Sequence, residues 1–135
     1  MERIRAIGII IKEGKILLLK RSVKDKGVYY TFPGGGVEEG ETPEHAVIRE
    51  IKEETNLDIE IEELLWDFKD MYHHGLYFLA KNPRGEMELG EGPEKKKQSA
   101  DDNHEPLWVP LKDITMLLLY PEKIKNRVIE KFVRK

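Results

Sequence analysis

The chain has 135 residues, 36% of them charged and 39% hydrophobic, with a net charge of −3, which is the length of about one domain and a composition that buries a core rather than staying disordered. The absence of cysteine excludes a disulfide, a thiolate nucleophile and a Cys-based zinc site. The mild acidity argues against a general nucleic-acid binder, and no apolar run is long enough to span a membrane. Met1-Glu2-Arg3 begins no signal-peptide pattern, so the expected location is cytoplasmic, with no membrane partner and no stable nucleic-acid partner. Arg3 to Lys12 is rich in β-branched residues, and Glu13-Gly14 offers a turn before the apolar run Lys15 to Lys20, a pattern that predicts a β-hairpin. Arg21 ends the second strand, Ser22 to Val28 reads as a polar loop, and Tyr29 to Phe32 as a short strand leading to Pro33 and the glycines Gly34, Gly35 and Gly36. A helix is expected to start near Pro43, with Thr42 as its N-cap. On that helix Glu50, Glu53 and Glu54 fall at i, i+3 and i+4 and share a face, while Val47, Ile51 and Thr55, flanked by Ile48, form an arc suited to packing on a sheet. Asp58 to Tyr72 reads as a long strand with a bulge, pairing antiparallel with Gly75 to Ala80 through a turn at His73-His74-Gly75. Asn82 to Asn103 is polar, with a short strand at Glu86 to Leu89 and with Lys95-Lys96-Lys97 in a surface loop. Trp108 and Val109 lie in a last short strand and Leu111 to Leu118 in a short helix. Pro121 to Lys135 forms a closing amphipathic helix, with Ile124, Val128, Ile129, Phe132 and Val133 on one side.

A Glu-rich helix is ordinarily a solvated surface helix. Here, however, Glu50 and Glu54 are like charges one turn apart, a pairing that costs an isolated helix about 0.2–0.5 kcal/mol. Arg49 reaches Glu53 at i+4, but one guanidinium does not neutralise three carboxylates. A divalent cation would, and an all-oxygen donor set suits Mg²⁺, or Mn²⁺ in its place, rather than zinc. The three glycines complete the pattern, because a backbone without Cβ approaches a ligand closely and offers its N–H and C=O groups.

Gly35, then Glu41 six residues on, then Arg49-Glu50-Ile51-Lys52-Glu53-Glu54-Thr55-Asn56-Leu57 resemble the Nudix box, G-x5-E-x7-R-E-U-x-E-E-x-G-U with U a bulky apolar residue. Across residues 35–57 one fixed position departs: Asn56 stands where the family has glycine, and asparagine best replaces glycine at a left-handed helix end. The resemblance implies an α/β fold, a Nudix α/β/α sandwich around a mixed sheet, as a single domain over residues 1–135. It implies Mg²⁺-dependent hydrolysis, with Mn²⁺ able to substitute, of a phosphoanhydride in a nucleoside diphosphate linked to another moiety. A nucleoside triphosphate or dinucleoside polyphosphate is the type expected, cleaved by water attack at phosphorus. The implied metal ligands are Glu50, Glu53 and Glu54, joined by the carbonyl of Gly35. Arg49 and Glu41 match positions that brace the acidic residues. Glu50, Glu53 and Glu105, the last in a loop before Trp108, are the candidates for general base.

Substrate contacts are implied for Gly34, Gly35 and Gly36. Arg21 either faces the substrate phosphates with them or is a solvated strand-end arginine. Tyr29, Tyr30, Tyr72, Tyr77 and Trp108 either stack on the moiety beyond the diphosphate or pack in the core. Tyr72 stands close to where dinucleoside-polyphosphate members carry a tyrosine. The expected partner is a nucleotide-type small molecule, and the family frequently forms homodimers. The competing reading is a non-catalytic Nudix-fold nucleotide-binding or sensor domain; such domains usually lack box glutamates, and all are present here.

Overall fold

In the computed structural model, residues 3–87 and 102–134 are described. Strand β1 (Ile4–Lys12) is buried on both faces. Ala6 and Ile10 point to one side and Ile7 and Ile9 to the other, which is why Ala6 to Ile11 reads as a continuous apolar run rich in isoleucine and not as an alternation. Glu13 and Gly14 turn the chain with positive φ at both residues, 52° and 77°, and it returns as β2 (Lys15–Val23). The expected hairpin is present only at its tip. Ile11 pairs with Ile16 and Lys12 with Lys15, and beyond these the two strands part.

Two half-sheets grow from that fork. β2 takes β3 (Gly27–Thr31) on its inner edge and β7 (Asp102–Pro110) along its outer edge, and β3 takes β8 (Leu119–Tyr120) in parallel. β1 pairs in parallel with β6 (His74–Arg84), and β6 pairs antiparallel with β5 (Asp58–Lys69). Where β2 leaves β1, the glycine strand β4 (Gly34–Gly36) fills the gap, setting Arg5, Ala6 and Ile7 opposite Gly36, Gly35 and Gly34. The predicted bulge in β5 is a series of register shifts at three places, and among the described residues its outer edge is unpaired.

A layer of helix covers each side. Helix α1 (Pro43–Thr55) lays Ala46, Val47 and Ile51 on Ala6, Ile10, Leu17 and Phe78. On the opposite side the 3-10 turn Leu111–Met116 and helix α2 (Glu122–Val128), prolonged by a π turn at Ile129–Val133, bury Ile114, Ile124, Val128 and Ile129 against Ile7, Ile9, Ile16 and Leu18. This is the expected α/β/α sandwich around a mixed sheet. No helix among the described residues is long and apolar enough to cross a membrane.

Several local expectations are corrected. The loop at Ser22 to Val28 shrinks to residues 24–26, because β2 and β3 pair as far as Val23 and Gly27. The β5–β6 turn sits at residues 70–73 rather than at His73-His74-Gly75, since Asp70 accepts hydrogen bonds from the amides of Tyr72 (2.8 Å) and His73 (2.6 Å). Trp108 and Val109 belong to a nine-residue strand that is not the last. β6 runs on to Arg84, and Glu86 and Met87 lie outside any strand. The rest of that proposed strand, and Lys95-Lys96-Lys97, lie outside the described residues.

Candidate active site

Helix α1 is held at both ends by the residues that mark them in the sequence. Thr42 Oγ1 accepts a hydrogen bond from the His45 amide (3.1 Å), and Pro43 occupies the first turn, where no N–H is missed. At the other end Asn56 adopts φ 67°, closing the helix through its amide to the Lys52 carbonyl (3.0 Å). Its side-chain amide donates to the Glu86 carbonyl (3.1 Å), a bond the family's glycine could not make.

The acidic face is not a solvated one: Glu50 and Glu54 are only 8% and 4% exposed. Both are pressed against β4. The Gly34 amide donates to Glu54 Oε1 (2.8 Å), and a Cβ on Gly35 would overlap the Glu50 carboxylate. Gly34 has φ +153°, and a Cβ there would strike the Ala6 carbonyl and the Ile7 Cα. The glycines are therefore required twice, once for β1 beneath and once for the carboxylates above.

Arg49 ties this arrangement together. Its Nε and Nη2 grip the two oxygens of Glu41 at 2.7 and 2.9 Å, a bidentate pair, and Nη2 also donates to the Gly36 carbonyl (3.1 Å). Nη1 lies 3.1 Å from Glu50 Oε2 and 3.4 Å from Glu53 Oε1. Hydrogen bonding from Arg49, then from the Glu38 amide, holds the Glu41 carboxyl well below its usual range, from 4.5 down to about 2. The same bond to Glu41 raises Arg49 further above an ordinary arginine.

Three carboxylates on one helix turn beside a bare backbone are a hard, all-oxygen donor set, which fits Mg²⁺ or Mn²⁺ and not a soft metal. The fit is one of donor chemistry. Among the described residues no three Asp, Glu or His side chains converge as a cation-binding group, because Glu54 is turned to Gly34 and Glu53 to Arg49. Holding a cation requires those two to exchange their present partners.

The remaining sequence candidates are sorted by strand register. Arg21 is not at a strand end: it lies inside β2, opposite Tyr29 on β3 and His104 on β7, with its guanidinium carbon 5.8 Å from the centre of the Tyr29 ring. Glu105 is not in a loop. It is exposed in β7 opposite Lys20 and alternates with Leu107 and Val109, which face the α2 side, so it is directed away from α1. Tyr77 is buried beside Phe32 and Trp66, and burial pushes its hydroxyl up to about 12. Tyr30 packs on the α2 side and Trp108 on the α1 side. Tyr72 is 81% exposed in the turn after β5, with its ring against His73. His104 and Tyr120, which the sequence did not single out, share a sheet face with Arg21 and Tyr29. Their strands carry no alternation that betrays them, but register does.

Comparison with known proteins bears on the whole arrangement. The family model described as the NUDIX domain matches residues 2–132. An ADP-ribose pyrophosphatase from Methanocaldococcus jannaschii is 37% identical over 123 residues, covering 87% of this chain and 67% of its own. An 8-oxo-dGTP diphosphatase from Escherichia coli is 34% identical over 93 residues, 64% of this chain and 72% of its own. Among solved structures, MutT, from a study of the Aliivibrio salmonicida and Vibrio cholerae proteins, superposes with a TM-score of 0.77 at 26% identity, covering 98% of this chain and all (100%) of that one.

Proposed function

The chain belongs to the Nudix family and is a Nudix hydrolase, and from that premise we propose that it cleaves, with Mg²⁺, a phosphoanhydride bond in a nucleoside diphosphate linked to a further group. The observation that carries this reading is the clamp of α1 on the glycine strand: Glu54 on the Gly34 amide, Glu50 over Gly35, and Arg49 joining Glu41 to Glu50 and Glu53. Hydrolases of this family generally use divalent metals. Glu50, Glu53 and Glu54 would hold the cation, which when bound supplies charge withdrawal from the phosphate oxygens and a more acidic water.

The chain's own residues do the rest. The β4 strand has no side chains of its own, so the Glu50 carboxylate packs directly over Gly35 and the Arg3 guanidinium over Gly36. Arg49, gripped by Glu41, holds Glu50 beside the glycine strand, while Glu53 exchanges its contact with Arg49 when a cation arrives. Glu50 or Glu53 takes the proton of the attacking water; Glu105, directed to the far face of the sheet, does not. The relatives carry the names ADP-ribose pyrophosphatase and 8-oxo-dGTP diphosphatase. Both named substrates contain a purine nucleoside diphosphate, and the same unit is the core of the substrate proposed here.

The test is product release across nucleoside triphosphates, dinucleoside polyphosphates, nucleotide sugars and ADP-ribose, with and without Mg²⁺. The expected result is one preferred substrate cleaved only with the metal, and loss of most turnover in Glu53→Gln with the fold intact. Wild-type rates in Glu53→Gln would refute the assignment. Between Glu50 and Glu53, the base is the one whose Gln variant loses the acid limb of the pH–rate profile.

A further inference from the structure

The face of the β2–β3–β7–β8 half-sheet carries a row of residues that the phosphate chemistry does not use. His104, Arg21 and Tyr29 lie directly opposite one another across β7, β2 and β3. Thr31, two residues beyond Tyr29, sits opposite Tyr120 on β8. Alternation places the row on the same side as Leu17 and Trp108, which pack toward α1, so it opens to the side of the sheet that carries the acidic helix. Along the chain Tyr29 is five residues before Gly34, hence at most about 18 Å from it.

The row is neither core nor an ordinary polar surface. Arg21 lies over the Tyr29 ring, and the Tyr29 and Tyr120 rings meet edge to face at 5.9 Å and 66°. Tyr29 is thus held from two sides. Tyr120 remains 47% exposed. A half-exposed aromatic ring buttressed by a second one makes a surface suited to a flat, delocalised ring. A nucleobase can cover such a ring with its own π-face, whereas a bare pyrophosphate has no apolar face to lay on it.

We propose that Tyr120, backed by Tyr29 and Arg21, is the stacking platform for the nucleobase of the substrate and sets a preference for base-bearing diphosphates over base-free ones. This rests on the hydrolase reading for the position of the diphosphate, but it concerns binding and can be tested without turnover. Calorimetric titration of ADP and of inorganic pyrophosphate, which share the diphosphate and differ in the base, is performed on the wild type, Tyr120→Ala, Tyr120→Leu and Tyr120→Phe. ADP binding is expected to weaken roughly tenfold in the Ala and Leu variants and to recover in Tyr120→Phe, with pyrophosphate binding not responding. Tyr120→Leu keeps apolar bulk, so its loss of ADP affinity reports the ring and not a collapsed edge.

Equal ADP affinity in wild type and Tyr120→Leu, parallel losses for ADP and pyrophosphate, or no ADP binding by the wild type would each overturn the proposal. Steady-state KM for the preferred nucleotide should rise in step with the ADP dissociation constant. Should the wild type bind ADP through Tyr120 yet hydrolyse nothing, the platform stands and the hydrolase reading falls. Should it hydrolyse nucleotides with Tyr120→Leu unaffected, the reverse holds.

Discussion

Glu41 shows how one side chain sets the behaviour of several. Its carboxylate is gripped by both arms of Arg49, and the same guanidinium steadies Glu50 and Glu53. Because its folded-state pKa lies below the unfolded value, the ionised form is favoured by folding. Its stabilisation is complete above about pH 4.5 and is lost as the pH falls toward 2. Glu41→Gln should therefore unfold more easily at neutral pH and lose less stability between pH 4.5 and 2 than the wild type does; urea midpoints across that range measure it. A parallel acid slope in the two proteins would show that the clamp carries no such linkage. Gly35→Ala drives a methyl group into the Glu50 carboxylate. We expect it to be roughly 1–3 kcal/mol less stable, and turnover to drop about a hundredfold through displacement of Glu50. At this scale the sequence was enough to set the three carboxylates on one helix face with the arginine beside them, as the structure has them. It did not disclose that Glu50 and Glu54 are buried, since burial depends on β4 arriving from elsewhere in the chain, nor that Glu105 faces away, since a polar stretch before Trp108 hid a strand.

Elements were legible where their signals are local. Thr42-Pro43 and Asn56 mark the two ends of α1 as expected, because caps and left-handed closures are chosen by residues within one turn. The departure from the family glycine gives a sharp comparison. Asn56→Ala should cost about 1–2 kcal/mol in chemical unfolding, as alanine tolerates φ 67° poorly. Asn56→Gly restores the backbone freedom and loses only the bond to Glu86, so it should cost about 1 kcal/mol or less. Equal losses in both would place the value of Asn56 in its side chain and not in its backbone. The strands were harder to read. β7 begins with polar residues and contains Pro106 and Pro110, which a strand paired on one side only, as β7 is among the described residues, accepts because one row of its amides has no partner to supply. β8, two residues long, has no periodicity at all.

For the molecule as a whole, the sandwich was available only through the Nudix resemblance, since a hydrophobic pattern shows that a strand exists and not which strand lies beside it. The fork between β1 and β2 is the case in point: the local pattern is that of a full hairpin, and the partition of the two strands into separate half-sheets is decided by β4 entering between them. Binding of a cation should act on this whole assembly. Mg²⁺ or Mn²⁺ at a hundredfold excess over its dissociation constant should add about 2.7 kcal/mol of stability, a rise of several degrees in Tm that chelation reverses. Glu54→Gln should abolish that rise, and an undiminished shift in this variant would remove Glu54 from the ligand set.

The outer flank of β5, unpaired among the described residues, has a consequence of another kind. A bare strand of twelve residues would ordinarily recruit a neighbouring chain, yet this one breaks step three times and displays Glu60, Glu62 and Glu63 along its length. The flank is therefore a poor template for fibre growth. Replacing those glutamates by neutral residues would strip away one of the two safeguards against self-association.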